Sequence, residues 1–309
     1  MKKKLLVLLM ALVCAFACAF AFASCDDGKD GTGGDGQNNE QTGGNEGTGG
    51  DEGTDGNEGT GGNGGSGEQK AEVAYTLSED GNSYVVTKGT FTSGELEILD
   101  KYEGKSVTAI ADNAFKDCSA LTKVTLPSTV TQIGEYAFMG TAIKSVNLKY
   151  VRTVGKGAFK NCTSLEFFTY GPYLENISDE MFYGCTSLMN RIAFDNFGSA
   201  MAKPKIASIG VSAFENCTAL SGGFAPEGLT AIKEAAFRGS GITSITIRQT
   251  VTSIGAQAFK NCAKLTSVDF QLTGGWKAGE TDVAEQISME SIAAQYLTTT
   301  YADVAWTKS

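Results

Sequence analysis

The side chains with the greatest capacity for chemistry in this chain are its eight cysteines, because none of its 309 residues is histidine. Without an imidazole, the chain lacks the base of Ser-His-Asp and Cys-His nucleophilic sites and any histidine ligand for a metal. Three cysteines lie near the N-terminus, whereas the other five recur through the body of the chain, each three residues after a phenylalanine. These five are Cys118, Cys162, Cys185, Cys217 and Cys262.

Regularly spaced thiols can form disulfides, bind zinc or simply fill a core. If equivalent positions stack one strand spacing apart, Cys162, Cys185 and Cys217 are neighbours, so a disulfide or a zinc site is an alternative. However, five is an odd number, and Cys118 and Cys262 lie beside copies that lack the cysteine. We therefore favour small buried thiols that fill a column, and we expect no metal and no cofactor.

Other catalytic signals are also missing from the sequence. The carboxylates show no recurring pair of the kind that glycosidases use, and no phosphate-binding glycine motif follows a strand. We therefore expect that the protein is not an enzyme and that it has no small-molecule substrate.

The cysteines belong to a repeat whose most constant element is an aromatic residue, usually preceded by alanine. The intervals between successive phenylalanines are 23, 21, 23, 32, 23 and 22 residues, and a β-branched aliphatic residue stands five positions before each one. A period of about 20 to 29 residues with recurring apolar positions is typical of a leucine-rich-repeat solenoid. The seven copies are centred on Phe115, Phe138, Phe159, Phe182, Phe214, Phe237 and Phe259.

After each aromatic residue comes an aliphatic residue and then an alternating run such as Val124-Thr125-Leu126, which predicts a short strand with one buried face. We therefore predict an α/β repeat solenoid of the leucine-rich-repeat fold. It has a parallel β-sheet on the concave face, short helical or irregular turns opposite, and a cap at each end. The expected boundaries are an N-terminal β cap at 71–106, seven repeats at 107–270 with an insertion near 189–205, and a C-terminal cap at 271–309.

The pattern AFxxCxxLxxVxLPxxVxxIGxxAF, nearly complete from Ala114 to Phe138, resembles the bacterial-surface-antigen-A-like, or treponemal-type, leucine-rich repeats. The resemblance extends over about residues 72–270, and the lead-in YTLxxDGxxYxV is similar to the cap that often precedes such repeats. What this resemblance implies is a cell-surface protein, of a family often linked to adhesion to host matrix proteins or to other bacteria.

The N-terminus carries an export signal: a basic head is followed by an apolar run from Leu5 to Ala23. The run is also long enough to cross a bilayer as an uncleaved helix. Because small residues precede Cys25, we favour a signal peptide at 1–24 and lipidation of Cys25. The junction Ala23-Ser24-Cys25 resembles a bacterial lipobox, although Phe22 replaces the usual leucine.

Residues 26–70 contain 18 glycines and 11 acidic residues but no aliphatic or aromatic side chain. Such a composition cannot form a core, and a flexible coil of this length has a root-mean-square reach of roughly 40 Å. Calcium binding is the alternative, but the spacing matches neither an EF-hand loop nor the nonapeptide calcium repeat. We therefore interpret residues 25–70 as a lipidated cysteine followed by a disordered acidic tether.

The predicted ligand-binding surface consists of side chains that point outward from the longer strands, with one arginine in the insertion and one beyond a strand. The array is mostly small and polar, with few of the aromatic and arginine anchors that dominate tight interfaces. Its members are Lys123, Thr125, Ser145, Asn147, Phe167, Thr169, Arg191, Thr246, Arg248 and Asp269.

Net charge further limits the partners. The total is −10, of which residues 71–309 contribute only −4, so the repeats lack the basic patch that nucleic acid requires. We expect a protein ligand, either a host matrix protein or a bacterial surface protein, and attachment to the membrane through the lipid anchor. The expected location is the cell envelope, at the outer membrane or cell surface. The alternative function is an envelope scaffold that binds a partner of its own cell.

Overall fold

The computed structural model describes residues 73–189, 192–195 and 203–309. Over these residues the chain winds into a solenoid, and each regular turn contributes one short strand and one longer strand. Successive short strands pair in parallel in two separate sheets, and successive longer strands pair in parallel in three; we call these two rows the short-strand ladder and the longer-strand ladder. The predicted repeat solenoid is thereby confirmed.

The short-strand ladder is built on the β-branched residue that precedes each phenylalanine by five positions. In register, Ile133 pairs with Ile110 on one side and with Val154 on the other, so these side chains stack in the core. The parallel pairs run β2-β5-β7-β9 and β11-β13-β14-β16. The strands are β2 (Tyr84–Thr87), β5 (Lys105–Ile110), β7 (Gln132–Ile133), β9 (Thr153–Val154), β11 (Asn176–Ile177), β13 (Ser208–Ile209), β14 (Ala231–Ile232) and β16 (Ser253–Ile254).

The longer-strand ladder corresponds to the sheet that the alternating runs predict. Within β8 the burial alternates, since Val146 and Leu148 are buried while Asn147 is exposed. The parallel pairs are β3-β6, β8-β10-β12 and β15-β17. The strands are β3 (Gly94–Glu97), β6 (Leu121–Thr125), β8 (Ser145–Leu148), β10 (Phe167–Tyr170), β12 (Ala193–Phe194), β15 (Ser244–Ile247) and β17 (Ser267–Phe270).

The segments around each phenylalanine are turns rather than helices. The residues two positions before and two positions after Phe115, Asn113 and Asp117, have φ values of 54° and 57°. This alternation turns every second N–H towards the next repeat, so Phe115 N–H donates to the carbonyl of Ala137 at 2.7 Å. Backbone hydrogen bonds therefore join neighbouring turns without a helix, and the helices of the described residues lie in the C-terminal cap.

The recurring phenylalanines form one continuous aromatic column. From Phe115 to Phe259 successive rings stack with centroids 5.4, 5.5, 5.7, 5.5, 5.3 and 5.4 Å apart. All seven rings are fully buried. The predicted interior column is thus confirmed in every copy.

The N-terminal segment contains more than a cap. The segment begins with a hairpin, since β1 (Ala74–Leu77) pairs antiparallel with β2. However, β2 and β3 already occupy both ladders, and Val86 and Phe91 repeat the five-residue spacing. The ring of Phe91 meets Phe115 edge-on at 6.0 Å. Residues 84–106, including β4 (Lys101–Tyr102), therefore form a first turn that the sequence pattern assigned to the cap.

The C-terminal segment covers the last turn with both strands and helix. Strand β20 (Trp306–Lys308) pairs antiparallel with β16, and β18 (Trp276–Ala278) and β19 (Thr281–Asp282) continue that sheet. Helix α1 (Glu290–Gln295) packs against β17 and lies between a 3-10 turn at Gln286–Ser288 and a π-helical turn at Tyr296–Thr300.

The insertion near 189–205 is partly a strand. Strand β12 pairs in parallel with β10, with Thr169 opposite Ala193 and Tyr170 opposite Phe194. The insertion therefore supplies the longer strand of its own turn, and most of the extra residues follow that strand. Residues 190–191 and 196–202, with the predicted site residue Arg191, lie outside the described residues, as do Cys25 and the whole N-terminal segment up to residue 72. Within the part that is described, no helix is both long and apolar enough to cross a bilayer.

Candidate interaction surface

The predicted strand residues all point away from the core, because alternation along each strand buries their neighbours. Lys123, Thr125, Asn147 and Asp269 are exposed, whereas Ser145, Phe167, Thr169 and Thr246 are half-buried. They form the outer face of the longer-strand ladder, which we call the strand face. Its outward residues come from strands β6, β8, β10, β15 and β17.

Hydrogen bonds and an ion pair link neighbouring turns on the strand face. The hydroxyl of Thr169 donates to Asn147 Oδ1 at 2.9 Å, and Lys123 Nζ lies 2.8 Å from Glu95 Oε2. Both side chains of the ion pair are more than half exposed, and its main effect is to raise the pKa of Lys123 through the hydrogen bond to Glu95. The strand face therefore presents hydroxyl, amide and charged groups at the surface.

The second predicted arginine is held by the turn before it. Arg248 is half-buried, and its Nε donates to the carbonyl of Ala225 at 2.9 Å. This bond fixes the stem of the guanidinium group beside β15, so Arg248 lies next to the strand face.

An aromatic and cationic cluster lies at the corner where the longer strands end, and the sequence indicated only its Tyr173 as an aromatic anchor. The guanidinium carbon of Arg152 lies 4.8 Å from the ring centre of Tyr173 in the next turn. Beside it, Lys149 pairs with Asp195 at 3.0 Å and lies 5.7 Å from the ring centre of Tyr150. Tyr150 is 37% exposed and is the most accessible large hydrophobic residue among those described between residues 107 and 270.

We call Tyr150, Arg152 and Tyr173 the corner cluster. Tyrosine and arginine are the residue types that most often anchor protein interfaces, and an arginine stacked on an aromatic ring has fewer conformations to lose on binding. The sequence shows that the residues of the corner cluster follow the alternating runs directly. Spacing alone does not show that residues of different turns are in contact.

The five repeat cysteines are all free and buried. The thiol of Cys162 donates to the carbonyl of Phe138 at 3.0 Å, and Cys185, Cys217 and Cys262 contact the corresponding carbonyl of the preceding turn at 3.1, 3.2 and 3.0 Å. Burial raises the pKa of Cys162 from 9.0 to about 11 and also raises the pKa values of Cys185, Cys217 and Cys262. These thiols are protonated packing groups rather than nucleophiles.

The two copies without cysteine have a hydroxyl residue at the position where the other copies have the thiol. Thr141 stands at the cysteine position of its turn, donates to Phe138 O at 2.9 Å and lies 3.3 Å from the Cys162 sulfur. Ser240 lies 3.5 Å from the Cys262 sulfur in the same way. A thiol or a hydroxyl therefore fills one small polar position in each of the seven turns centred on Phe115 to Phe259. Within the described ranges, no group of three or more acidic or cysteine side chains is arranged to hold a metal ion.

An ion pair with a buried carboxylate and a half-buried arginine links three turns outside the strand face. The guanidinium of Arg238 donates to Glu215 Oε1 at 2.9 and 2.6 Å and to Gln257 Oε1 at 2.9 Å. The side chain of Glu215 is 5% exposed, and its Oε2 has no hydrogen-bond partner among the described residues. The arrangement joins neighbouring turns, and sequence reasoning did not identify it.

Two shallow depressions lie on the short-strand side, away from the strand face. One, of about 420 Å³, is lined by residues that include Gln132, Gly134 and Thr153, and the other, of about 460 Å³, by residues that include Asn176 and Ser208. Both are open and shallow, so they do not enclose a small ligand of the size that cofactor pockets hold.

Together, the two parallel ladders and the stacked interior column define a leucine-rich-repeat solenoid. The chain belongs to the family described as BspA type leucine-rich-repeat region, which matches residues 90–200 and 194–292 in six copies. This family is consistent with binding to other proteins, and the fold is a typical scaffold for such interactions.

Solved structures agree on the fold. A leucine-rich cell surface protein from Faecalibacterium prausnitzii A2-165 is 27% identical, with a TM-score of 0.55 over 69% of this chain and 56% of its own. A leucine-rich-repeat protein from Eubacterium ventriosum ATCC 27560 is 22% identical, with a TM-score of 0.51 over 66% of this chain and 55% of its own. This chain thus spans little more than half the length of either protein. No curated protein matches the sequence.

Proposed function

We propose that this protein is a surface-tethered module that binds a protein ligand through the strand face and the neighbouring corner cluster. The observation that carries the proposal is a row of outward side chains repeated over five strands. The interior positions are committed to stacking, so these outward groups are the repeated array that a large ligand can span. The similar protein described as a cell surface protein supports the location.

The chemistry of the strand face predicts weak individual sites. Threonine, serine, asparagine and lysine side chains offer many hydrogen bonds and few anchors, so single-site affinity is roughly micromolar. Many copies anchored to one surface raise the overall avidity without new contacts. Adhesion to host matrix or to other cells therefore depends on the density of copies, and such a role suits a lipid-anchored protein of the outer membrane or cell surface.

The lipid anchor at Cys25 is the second part of the proposal. The cysteine lies at the junction of the apolar run and the acidic segment, where a lipoprotein signal is cleaved. Mass spectrometry of the mature N-terminus is expected to find a lipidated Cys25. An intact Met1, or a cleaved Cys25 without lipid, contradicts this assignment.

The binding surface is tested after a screen of the full chain against matrix proteins has found a ligand. Replacing Lys123, Asn147, Phe167, Thr169 and Arg248 together by alanine is expected to weaken binding at least tenfold, and Tyr150→Ala with Arg152→Ala is expected to weaken it further. The matched control replaces Gln132, Thr153, Asn176, Ser208 and Ser253, which are on the short-strand side, by alanine. If the control loses binding and the strand-face variant does not, the site lies on the other side.

The inserted residues are tested separately. Residues 196–202 follow β12 in the sequence, and we expect a folded variant that lacks them to bind the ligand more weakly. If this variant and the strand-face variant both bind the ligand as tightly as the parent does, the ligand contacts neither region.

An envelope scaffold is the second candidate, because the same surface suits a partner of the cell that makes the protein. Protease treatment of intact cells separates the two roles. Degradation of the solenoid supports display on the surface, whereas protection supports a partner inside the envelope.

A further inference from the structure

The two ends of the solenoid are finished differently. At the C-terminal end, β20 crosses β16 antiparallel and places the fully buried Trp306 against Ile254. Helix α1 packs against β17, so the last strand of each ladder is covered at this end. At the N-terminal end, the short-strand ladder finishes at β1, which pairs with β2 and with no other strand of the described residues.

Although β1 has only four residues, it lacks the other features that usually protect an edge strand. Its sequence, Ala-Tyr-Thr-Leu, contains no charge and no proline, and its pairing with β2 runs without a bulge. Unprotected edges pair readily with another strand. By contrast, β19 is an edge strand that carries Asp282 opposite Lys277.

Exposed apolar side chains surround β1. Leu77, Leu99 and Tyr102 are 45%, 47% and 36% exposed. Tyr75 stacks on Tyr102 with ring centres 4.4 Å apart, and Tyr84 meets Tyr102 edge-on at 5.0 Å. The strand edge and the aromatic cluster therefore form one continuous surface, which we call the N-terminal edge.

The sequence next to β1 indicates which partner could cover the N-terminal edge. Residues 26–70 contain no aliphatic or aromatic side chain, so they offer nothing apolar to cover the N-terminal edge. A second copy of the chain brings a strand without like charges and an identical apolar cluster. An antiparallel pair related by a twofold axis leaves the two chain segments that lead to Cys25 at opposite ends of the paired strands, a separation that tethers with a reach of roughly 40 Å span easily.

We propose that two tethered copies associate through their N-terminal edges, with β1 of one copy pairing antiparallel with β1 of the other. The pairing rests on the proposed function, because tethering supplies the local concentration. Two four-residue strands with a few apolar neighbours bury less than the roughly 1,200 Å² of a stable interface. The pair is therefore weak in dilute solution and forms where anchoring raises the effective concentration.

The test uses the full chain with Thr76→Cys, in the membranes of cells that express it. A short bismaleimide reagent, whose reach tolerates a register shift of one residue, is added, and the yield of covalent dimer is measured. We expect at least five times more dimer than with Thr281→Cys, which places a cysteine on the protected edge strand β19. The unmodified chain corrects for its own cysteines. A yield no higher than that of Thr281→Cys overturns the proposal.

A second variant separates pairing from crowding on the membrane. Ala74→Lys together with Leu77→Lys in the Thr76→Cys chain places a lysine of one copy opposite a lysine of the other, because residues 74 and 77 face each other when two antiparallel β1 strands are centred on the twofold axis. The dimer yield is expected to fall to the Thr281→Cys value while the melting temperature is unchanged. An unchanged yield means proximity without pairing, and overturns the proposal. Recovery of the chain in the membrane fraction tests the tether independently of the pairing. If the chain is recovered elsewhere, the dimer yields of the Thr76→Cys and Thr281→Cys chains are compared in the fraction that contains it.

Discussion

Two stretches of the same solenoid show which interactions define a turn. In the regular turns, residues 107–189, the strands of the longer ladder have four or five residues. In the irregular turns, residues 192–229, β12 has two residues and Gly222 makes an isolated bridge to Ser244. Nevertheless, the phenylalanine rings remain 5.5 Å apart across Phe182 and Phe214. The stacking of the phenylalanine rings is thus kept where the longer strands are shortened. The outer face of these strands contacts water, so changes of sequence there disturb the packing less.

The irregular turns also show how a core position is refilled. Gly223 stands where other turns have an apolar strand residue, and a Cβ atom there would lie 2.5 Å from the side chain of Ile245. The next residue, Phe224, turns inward instead, with its ring 6.1 Å from Phe168 and 5.8 Å from Phe214. A shift of one residue exchanges the inner and outer faces of a strand, and this shift restores the core volume.

The largest expected effect comes from removing one ring of the column. Phe138→Ala leaves a cavity between two stacked rings, and we expect it to cost about 3 to 5 kcal/mol of the free energy of unfolding. Phe224→Ala, in the irregular turns, is expected at the lower end of that range because its contacts are edge-on or tilted. Urea denaturation measures both. A loss below about 1 kcal/mol for Phe138→Ala contradicts the column.

The next effect tests the inward shift at Phe224. Gly223→Ala overpacks the contact with Ile245 and should cost about 1 to 3 kcal/mol. Ile245→Ala in the same chain should recover part of this loss relative to the sum of the two single changes. The matched control is Gly274→Ala, whose Cβ meets no atom within 4 Å. Equal melting temperatures for Gly223→Ala and the control contradict the described packing.

A smaller effect concerns the thiols that both stretches share. The folded pKa of Cys162, about 11, lies above its ordinary value of 9.0 because burial favours the neutral thiol. The unfolded chain loses this proton first, so stability is fully present below pH 9 and falls as the pH rises through 11. At pH 10 the titration of Cys162 lowers the free energy of unfolding by about 1 kcal/mol. Comparing the parent with Cys162→Ser between pH 8 and pH 10.5 isolates it, and parallel pH profiles would argue against a buried thiol.

The smallest effect is expected on the strand face. Lys123→Ala removes an exposed ion pair with Glu95, and pairs of this kind contribute little because water and salt screen them. We expect a melting temperature that is indistinguishable from that of the parent. A clear decrease would mean that the longer ladder contributes to stability through its outer face, and the contrast between column and ladder would then be wrong.

Much of the fold was predictable from the sequence. The period, the Ala-Phe column, the thiol positions and the outward strand residues follow from spacing, because each position recurs in most of the copies. The first turn was missed because Val86 and Phe91 keep the spacing without the alanine or the cysteine. The ligand-binding roles of the strand residues remain a prediction.

By itself, the sequence determined which side chains are inside each turn, because a solenoid repeats one local pattern and burial follows that pattern. The tertiary structure decided which residues of different turns meet. Arg152 and Tyr173 share the corner cluster, and Phe224 reaches rings two turns away, since these contacts depend on how the turns stack. The tertiary structure also decided that the insertion pairs as β12 and that β1 finishes the ladder. Both depend on which strand edge is open, and a local pattern contains no information about that.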